Sequence, residues 1–359
     1  MIKGARQVGK TTLIGKLLED KENILWVDGD DPDDRAYWDN VGKNTLFSLV
    51  QGFDYVVVDE AQRIVNVGLA VKMIVDGPLN VKVIVTGSSS LDLASSINEP
   101  LTGRKWSFDL YPISWGELVM SVRLPEALRQ LDQRLIYGSY PDVITAEGKI
   151  QDRLKEITTS YLYKDILEHG DIRKPEVIAN LLRALSYQVG NLVSYHELGK
   201  LLYLDSATVR RYIDLLEESY VLIRLPPLSR NRRKEISTSR KIYFVDNGVR
   251  NAMINQLMPM SFRNDHGQLW ENFIVSEFYK LAANTERWGS FYFWRSKNGS
   301  EVDLIFEENG RRYAFEIKYN PRKRGSFPPT FRETHDPTTM ETINRENFYE
   351  LLRLPNLQE

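Results

Sequence analysis

Short apolar blocks alternate with longer mixed stretches along the first third of the chain. Residues 24–28 (Ile-Leu-Trp-Val-Asp), 54–58 (Asp-Tyr-Val-Val-Val) and 81–86 (Val-Lys-Val-Ile-Val-Thr) are runs of strand length without polar alternation. Such runs suit strands covered on both faces, the condition of a parallel sheet. Residues 12–18 (Thr-Leu-Ile-Gly-Lys-Leu-Leu) instead carry the spacing of an amphipathic helix. Strands alternating with helices predict an α/β fold with a doubly wound parallel sheet.

From about residue 123 to 190 the pattern turns helical, as in 157–167, and Pro175 stands where a helix start tolerates it. Residues 193–194 then suit a short strand, 195–202 a helix and 203–205 a turn. Ser206 is placed to cap a second helix running to about 219, and 220–225 again reads as a strand. That order predicts a winged helix-turn-helix. Its second helix would offer Thr208, Arg210 and Arg211 to a DNA groove, although Asp214, Glu217 and Glu218 make its later turns acidic. Docking to a protein is the other use of such a module. Beyond it, 300–306 and 312–318 read as two strands joined through Glu308-Asn309-Gly310, a hairpin.

The loop at 4–11, Gly-Ala-Arg-Gln-Val-Gly-Lys-Thr, has the Walker A spacing. Glycines let the backbone fold tightly with its amides pointing inward at phosphate. Gly4, Ala5, Arg6, Gln7, Val8, Gly9, Lys10, Thr11 and Thr12 are the expected ATP-binding residues. Lys10 would reach the β- and γ-phosphates and Thr11 would ligate Mg2+. The apolar run at 54–58 ends in Asp59-Glu60, the Walker B arrangement: Asp59 for the metal, Glu60 for the attacking water. The third apolar run leads into Gly87-Ser88-Ser89-Ser90, where Ser88 is a candidate γ-phosphate sensor and a serine-rich turn the plainer alternative. Arg104 is the candidate for neutralising transition-state charge, in its own site or a neighbouring subunit's. Only Met1-Ile2-Lys3 precede the loop, and so short a central strand is expected to anchor it poorly.

Composition narrows the classes. Of 359 residues, 42% are hydrophobic and 27% charged, an ordinary globular balance with length for two or three domains. Lys+Arg number 47 against 49 Asp+Glu, so any nucleic-acid contact must come from local basic patches. The run Ser229-Arg230-Asn231-Arg232-Arg233-Lys234, followed by Arg240-Lys241, is one such patch, a solvated loop being the alternative. The chain has no cysteine, which excludes disulfides and thiolate zinc sites and suits a reducing cytoplasm. No apolar run reaches the roughly 18 residues a membrane helix needs, so no membrane association is expected.

In the hairpin, Glu316 and Lys318 lie two apart and share a strand face, opposite Asp303. Asp303 and Glu316 are candidate ligands of a second Mg2+, with Lys318 to activate water and Glu271 as a further carboxylate. The alternative is a surface hairpin with an ordinary Glu–Lys pair. The pattern resembles the Asp–(Glu-x-Lys) signature of restriction-endonuclease-like domains. The whole chain resembles prokaryotic AAA-family ATPases whose C-terminal half is a domain of unknown function with a nuclease-like fold. The resemblance rests on residues 4–12, 56–62, 86–90, 101–104, 137–142, 161–167, 241–248 and 301–318. It implies a P-loop AAA+ core at 1–122, a helical connector at 123–190, a winged-helix-like module at 191–228 and a restriction-endonuclease-like domain at 229–359. It also implies a functional role for Arg104. The chain departs from that family at its N-terminus, where the leading helix and most of the first strand are missing, so reduced ATP affinity and turnover are expected. The expected function is ATP hydrolysis coupled to a DNA-directed, nuclease-like module. A nucleotide-gated protein-binding module and an ATP-dependent nuclease are the alternatives, and homo-oligomers or protein partners are compatible with all three.

Overall fold

The computed structural model describes residues 1–87, 103–146, 148–161, 175–229 and 240–352. It divides into two compact units, the first built mainly from Met1–Tyr111 and the second from Pro112 onward. Ser88 and the basic run at 230–234 lie outside the described residues, as do 101–102 and 162–167 of the resemblance.

In the first unit, β1 (Ile2–Lys3) leads through the phosphate-loop sequence into α1 (Lys10–Leu17). Then follow β2 (Ile24–Asp28), α2 (Pro32–Trp38), α3 (Lys43–Val50), β3 (Tyr55–Asp59), α4 (Val67–Val75), β4 (Lys82–Gly87) and β5 (Phe108–Asp109). The strands form one parallel sheet in the order β2-β3-β4-β1-β5. β3 shows why helices cover both faces. Val56 and Val58 join the core under α3 and α4, while Val57 points the other way to Ile14 and Leu18 at α1.

The brevity of β1 does not move it to an edge. Ile2 pairs with Thr86 on one side and Phe108 on the other. The Phe108 and Leu110 amides donate to the Met1 and Lys3 carbonyls at 3.0 and 2.6 Å. Gly4 follows at once, and a side chain there would collide with the Leu110 carbonyl.

The second unit opens with α5 (Trp115–Val122), α6 (Leu124–Tyr137), α7 (Pro141–Ile144) and α8 (Ile150–Glu156). Next come α9 (Pro175–Tyr187), β6 (Leu192–Val193), α10 (Tyr195–Leu202), α11 (Ser206–Glu218), β7 (Leu222–Leu225) and β8 (Arg240–Phe244). The three strands form an antiparallel sheet in the order β6-β8-β7. The cap of α11 is Asp205, not Ser206: its carboxylate accepts from the Thr208 amide at 2.8 Å and the Thr208 hydroxyl at 2.7 Å. A carboxylate one residue earlier reaches the first-turn donors and leaves Ser206 as the first helical residue.

After α12 (Asn247–Met253) and α13 (His266–Asn284), the chain forms β9 (Ser290–Arg295), β10 (Glu301–Glu308), β11 (Arg311–Ile317), α14 (Pro329–His335), β12 (Thr339–Ile343) and α15 (Phe348–Leu351). The sheet order is β12-β11-β10-β9, antiparallel except for β11 beside β12. Asn309 and Gly310, with φ of 51° and 79°, close the β10–β11 hairpin, the backbone that a tight two-residue hairpin turn requires. Segments 137–142 and 241–248 meet here. The Asp246 carboxylate accepts from the Ser139 amide at 2.6 Å and caps α12 through the Gly248 and Val249 amides.

Candidate functional site

In the first unit the phosphate loop, β3 and β4 bring their polar residues to one place. Gly9 precedes α1 with φ of 93°, and Gln7 at φ 61° is also left-handed, so the backbone doubles back before the helix begins. Lys10 is 5% exposed. Its ammonium donates to the Gly4 and Ala5 carbonyls at 3.0 Å each and lies 3.9 Å from Glu60 Oε1.

The Thr11 hydroxyl donates to Asp59 Oδ2 at 2.7 Å. The other Asp59 oxygen accepts from the Thr86 hydroxyl, and the Glu60 amide donates to Thr86 Oγ1 at 3.1 Å. Gln62 Nε2 donates to Glu60 Oε2 at 2.7 Å, which fixes where that carboxylate aims. Thr86 and Gln62 were not legible as site residues. Each is a polar residue at a strand or turn end, and only the fold shows what it holds. A hydroxyl and a carboxylate this close fit one octahedral Mg2+, Asp59 acting directly or through water. Arg104 lies half exposed with Nε 2.9 Å from Asp76 Oδ1.

In the second unit, β10 and β11 bring Asp303, Glu316 and Lys318 together. Lys318 Nζ lies 2.6 Å from Glu316 and 3.3 Å from Asp303. The Ile317 amide donates to the same Asp303 oxygen at 2.8 Å. The β9–β10 register breaks between Val302 and Ile305, a bulge of the kind that redirects a side chain such as Asp303. Glu316 is 5% exposed. Burial, with the charges of Asp303 and Glu301, pushes its carboxyl up to about 7 against the pull of Lys318.

Glu271 stands apart from that pair. Its Oε1 accepts from Lys241 Nζ at 3.0 Å and the Tyr243 hydroxyl at 2.6 Å. Lys241 also meets Glu301 and is 3% exposed. Lys241 is therefore not a solvated extension of the basic run: its partners lie on α13 and β10, far off in sequence. Among the described residues no group of three or more His, Asp or Glu is placed to hold a metal ion. The Mg2+ expected at Glu271, Asp303 and Glu316 does not fit this donor set, because the Glu271 carboxylate is already taken up by the Lys241 ammonium and the Tyr243 hydroxyl.

Two features went unread in the sequence. Arg224 on β7 meets Asp214 at 2.5 Å and also pairs with Glu217, offsetting two of the acids that opposed phosphate contact on α11. Arg322, Lys323 and Arg324 follow Lys318 on an exposed turn fixed by the Arg322 amide donating to Asn320 Oδ1 at 2.9 Å.

Residues 1–119 match the family described as AAA domain, and 128–259 and 266–348 match the domains of unknown function DUF8612 and DUF4143. Uncharacterized proteins of Mycobacterium tuberculosis and Mycobacterium bovis are each 31% identical over 327 residues, covering 89% of this chain and 69% of theirs. The chain belongs to the family of these mycobacterial proteins, and its N-terminal part is a P-loop AAA domain. An uncharacterized protein of Methanocaldococcus jannaschii is 22% identical over 355 residues, covering 85% of this chain and 72% of its own. The Aeropyrum pernix ORC1 protein, solved in complex with DNA, matches with a TM-score of 0.35 and 13% identity over 71% of this chain and 85% of its own. A likeness of that size says nothing of function. Thr11, Asp59, Glu60 and Thr86 meet within residues 1–119, so the nucleotide-site chemistry belongs to the AAA domain. No helix among the described residues is long and apolar enough to cross a membrane.

Proposed function

We propose that the AAA domain hydrolyses ATP and that its nucleotide state governs a nuclease-like, DNA-directed C-terminal module. The observation that carries the ATPase reading is the 2.7 Å contact between Thr11 and Asp59, with Glu60 one residue on and tethered by Gln62. The loop amides and the start of α1 receive phosphate oxygens. Lys10 would exchange the Gly4 and Ala5 carbonyls for the β- and γ-phosphates, and Thr11 and Asp59 are the residues that would hold the magnesium. Bound Mg2+ would neutralise charge on the β- and γ-oxygens. Glu60 then orients the attacking water and takes its proton; Arg104 remains the candidate for neutralising transition-state charge and Ser88 the candidate γ-phosphate sensor.

Helix, strand, helix, helix, strand, strand from α9 to β8 supports a winged-helix reading. The helix, three strands, helix and strand from α13 to β12 support the nuclease-like reading. Exposed Arg210 and Arg211 on α11, with half-buried Thr208 beside them and the turn at 322–324, support DNA contact through phosphates. The deciding experiment measures ATP turnover with and without duplex DNA in wild type, Lys10→Ala and Glu60→Gln. Turnover lost in both variants and altered by DNA in wild type is the expected result. Turnover unchanged in Lys10→Ala removes the ATPase reading, and no affinity for DNA at low salt moves the partner to a protein. Cleavage of plasmid with Mg2+, lost in Lys318→Ala, would instead establish the nuclease.

A further inference from the structure

The carboxylates of the second unit pose a charge problem. Glu271 comes from α13, Glu301 and Asp303 from β10, and Glu316 from β11. Glu316 is 7% exposed at its side chain and Asp303 13%. A cluster of acids this buried binds a cation or takes up protons. Where such a cluster is a metal site, oxygens converge on the ion at about 2.0–2.6 Å for magnesium or calcium.

Here the oxygens converge on ammonium groups. Lys241 Nζ lies 3.0 Å from Glu271 and in contact with Glu301, and its charge interacts with that of Asp303. The Phe293 ring covers another side, its centroid 5.7 Å from Nζ, a contact that further favours the charged form. Lys318 serves Glu316 and Asp303 in the same way. Each of the four carboxylates thus faces an ammonium already. The Glu271 oxygen that meets Lys241 also accepts from Tyr243, and the Asp303 oxygen that meets Lys318 also accepts from Ile317.

We propose that Lys241 is the resident cation of this centre, its ammonium holding the place a divalent metal takes in a carboxylate cluster, so that the module keeps its structure without metal. The proposal rests on the nuclease-like reading only for the identity of the cation replaced. Burial opposes the charge on Lys241, but the carboxylates of Glu271, Asp303 and Glu301 outweigh it and hold the lysine above its ordinary value. A metal entering the cluster would have to expel it or sit against a like charge in a site of low dielectric.

The test uses the full chain carrying Asp59→Asn, without nucleotide, so that the phosphate loop contributes no metal site. Binding of Mn2+ is read from loss of the free aquo-ion signal in electron paramagnetic resonance. The parent should show no saturable site that Glu271→Gln removes. Lys241→Ala should gain one, at least tenfold tighter than any binding by the parent, and lose it again with Glu271→Gln. A saturable site in the parent that Glu271→Gln abolishes overturns the proposal, as does a Lys241→Ala protein that folds and gains none. Should Lys241→Ala fail to fold, recovery of a cooperative melt on adding Mn2+ supports the proposal and absence of recovery overturns it. DNA affinity measured in EDTA on the same proteins is independent of this outcome, so its failure would strike the DNA-directed reading alone.

Discussion

The Thr11 hydroxyl reaches across 48 residues of sequence to donate to Asp59 Oδ2 at 2.7 Å, so the phosphate loop and the end of β3 form one site. Binding and turnover should therefore separate by residue. Lys10→Ala removes the side chain assigned to the β- and γ-phosphates and should abolish both ATP affinity and hydrolysis. Glu60→Gln keeps the shape and the Gln62 tether but loses the proton acceptor. It should bind ATP as wild type does and turn it over slower by about 10²-fold or more. Fluorescent-nucleotide titration beside steady-state phosphate release separates the two, and equal loss of binding in both variants would contradict the assignment of Glu60.

Gly4 offers a test of the short first strand. Its α-carbon faces the Leu110 carbonyl so closely that any β-carbon must push the loop away from the strand end. Gly4→Ala should cost on the order of 1–3 kcal/mol, as overpacking does, seen as a lower thermal midpoint together with weaker nucleotide binding. Gly15→Ala on the exposed side of α1 meets open space and should be neutral or mildly stabilising. Equal midpoints for the two variants would mean that the loop is not held against Leu110.

The contrast between these sites shows what the sequence could carry. The phosphate loop and Asp59-Glu60 are legible because each is contiguous and its chemistry demands a fixed spacing. A central strand ahead of the loop is legible too, but not how one so short is held, since only its pairing with Thr86 and Phe108 shows that. Lys241 misled for a related reason. Beside Arg240 and downstream of a basic run it has the look of a solvated cation. The acids that bury it, Glu271 and Glu301, come from elements read separately. Asp303, Glu316 and Lys318 fared better, because strand geometry relates positions two apart without reference to anything distant.

Arg224 is a second long-range neutralisation. From β7 it bridges Asp214 and Glu217 on α11, with its own side chain 20% exposed. Burial raises the Glu217 carboxyl while Arg224 opposes that shift. Removing the arginine leaves two acids near each other without their cation. Arg224→Ala should cost about 1–2 kcal/mol, less than a fully buried pair because solvent reaches the acids. Denaturant unfolding measures it, and Arg224→Lys should recover only part of the loss.

If phosphates meet the turn at 322–324, DNA affinity should fall linearly in the logarithm of salt concentration. Replacing Arg322, Lys323 and Arg324 together by alanine should reduce that slope by about 3, near one for each phosphate no longer neutralised. The fold should be unaffected, since all three side chains are exposed. Fluorescence anisotropy with a short duplex between about 50 and 200 mM salt gives the slope. An unchanged slope would exclude this turn from the DNA interface and return attention to α11.

Glu316 gives the stability a pH dependence whose sign is fixed by its surroundings. Burial, then Asp303 and Glu301, push the folded-state carboxyl up to about 7, while the unfolded glutamate titrates near 4.5. Between those values the native protein keeps a proton that the unfolded chain has released. The native state therefore binds more protons there, and stability falls as pH rises through the window and stays lower above it. The shift corresponds to at most about 3 kcal/mol, an upper estimate because Lys318 and Glu316 titrate in each other's field. Glu316→Gln imitates the protonated form at every pH. Its thermal midpoint should match wild type near about pH 4, exceed it increasingly from about pH 5 to 7 and level off above that, measured at one ionic strength in EDTA. A difference that is flat with pH, or that favours wild type at pH 8, would mean that Lys318 alone suffices to keep Glu316 ionised.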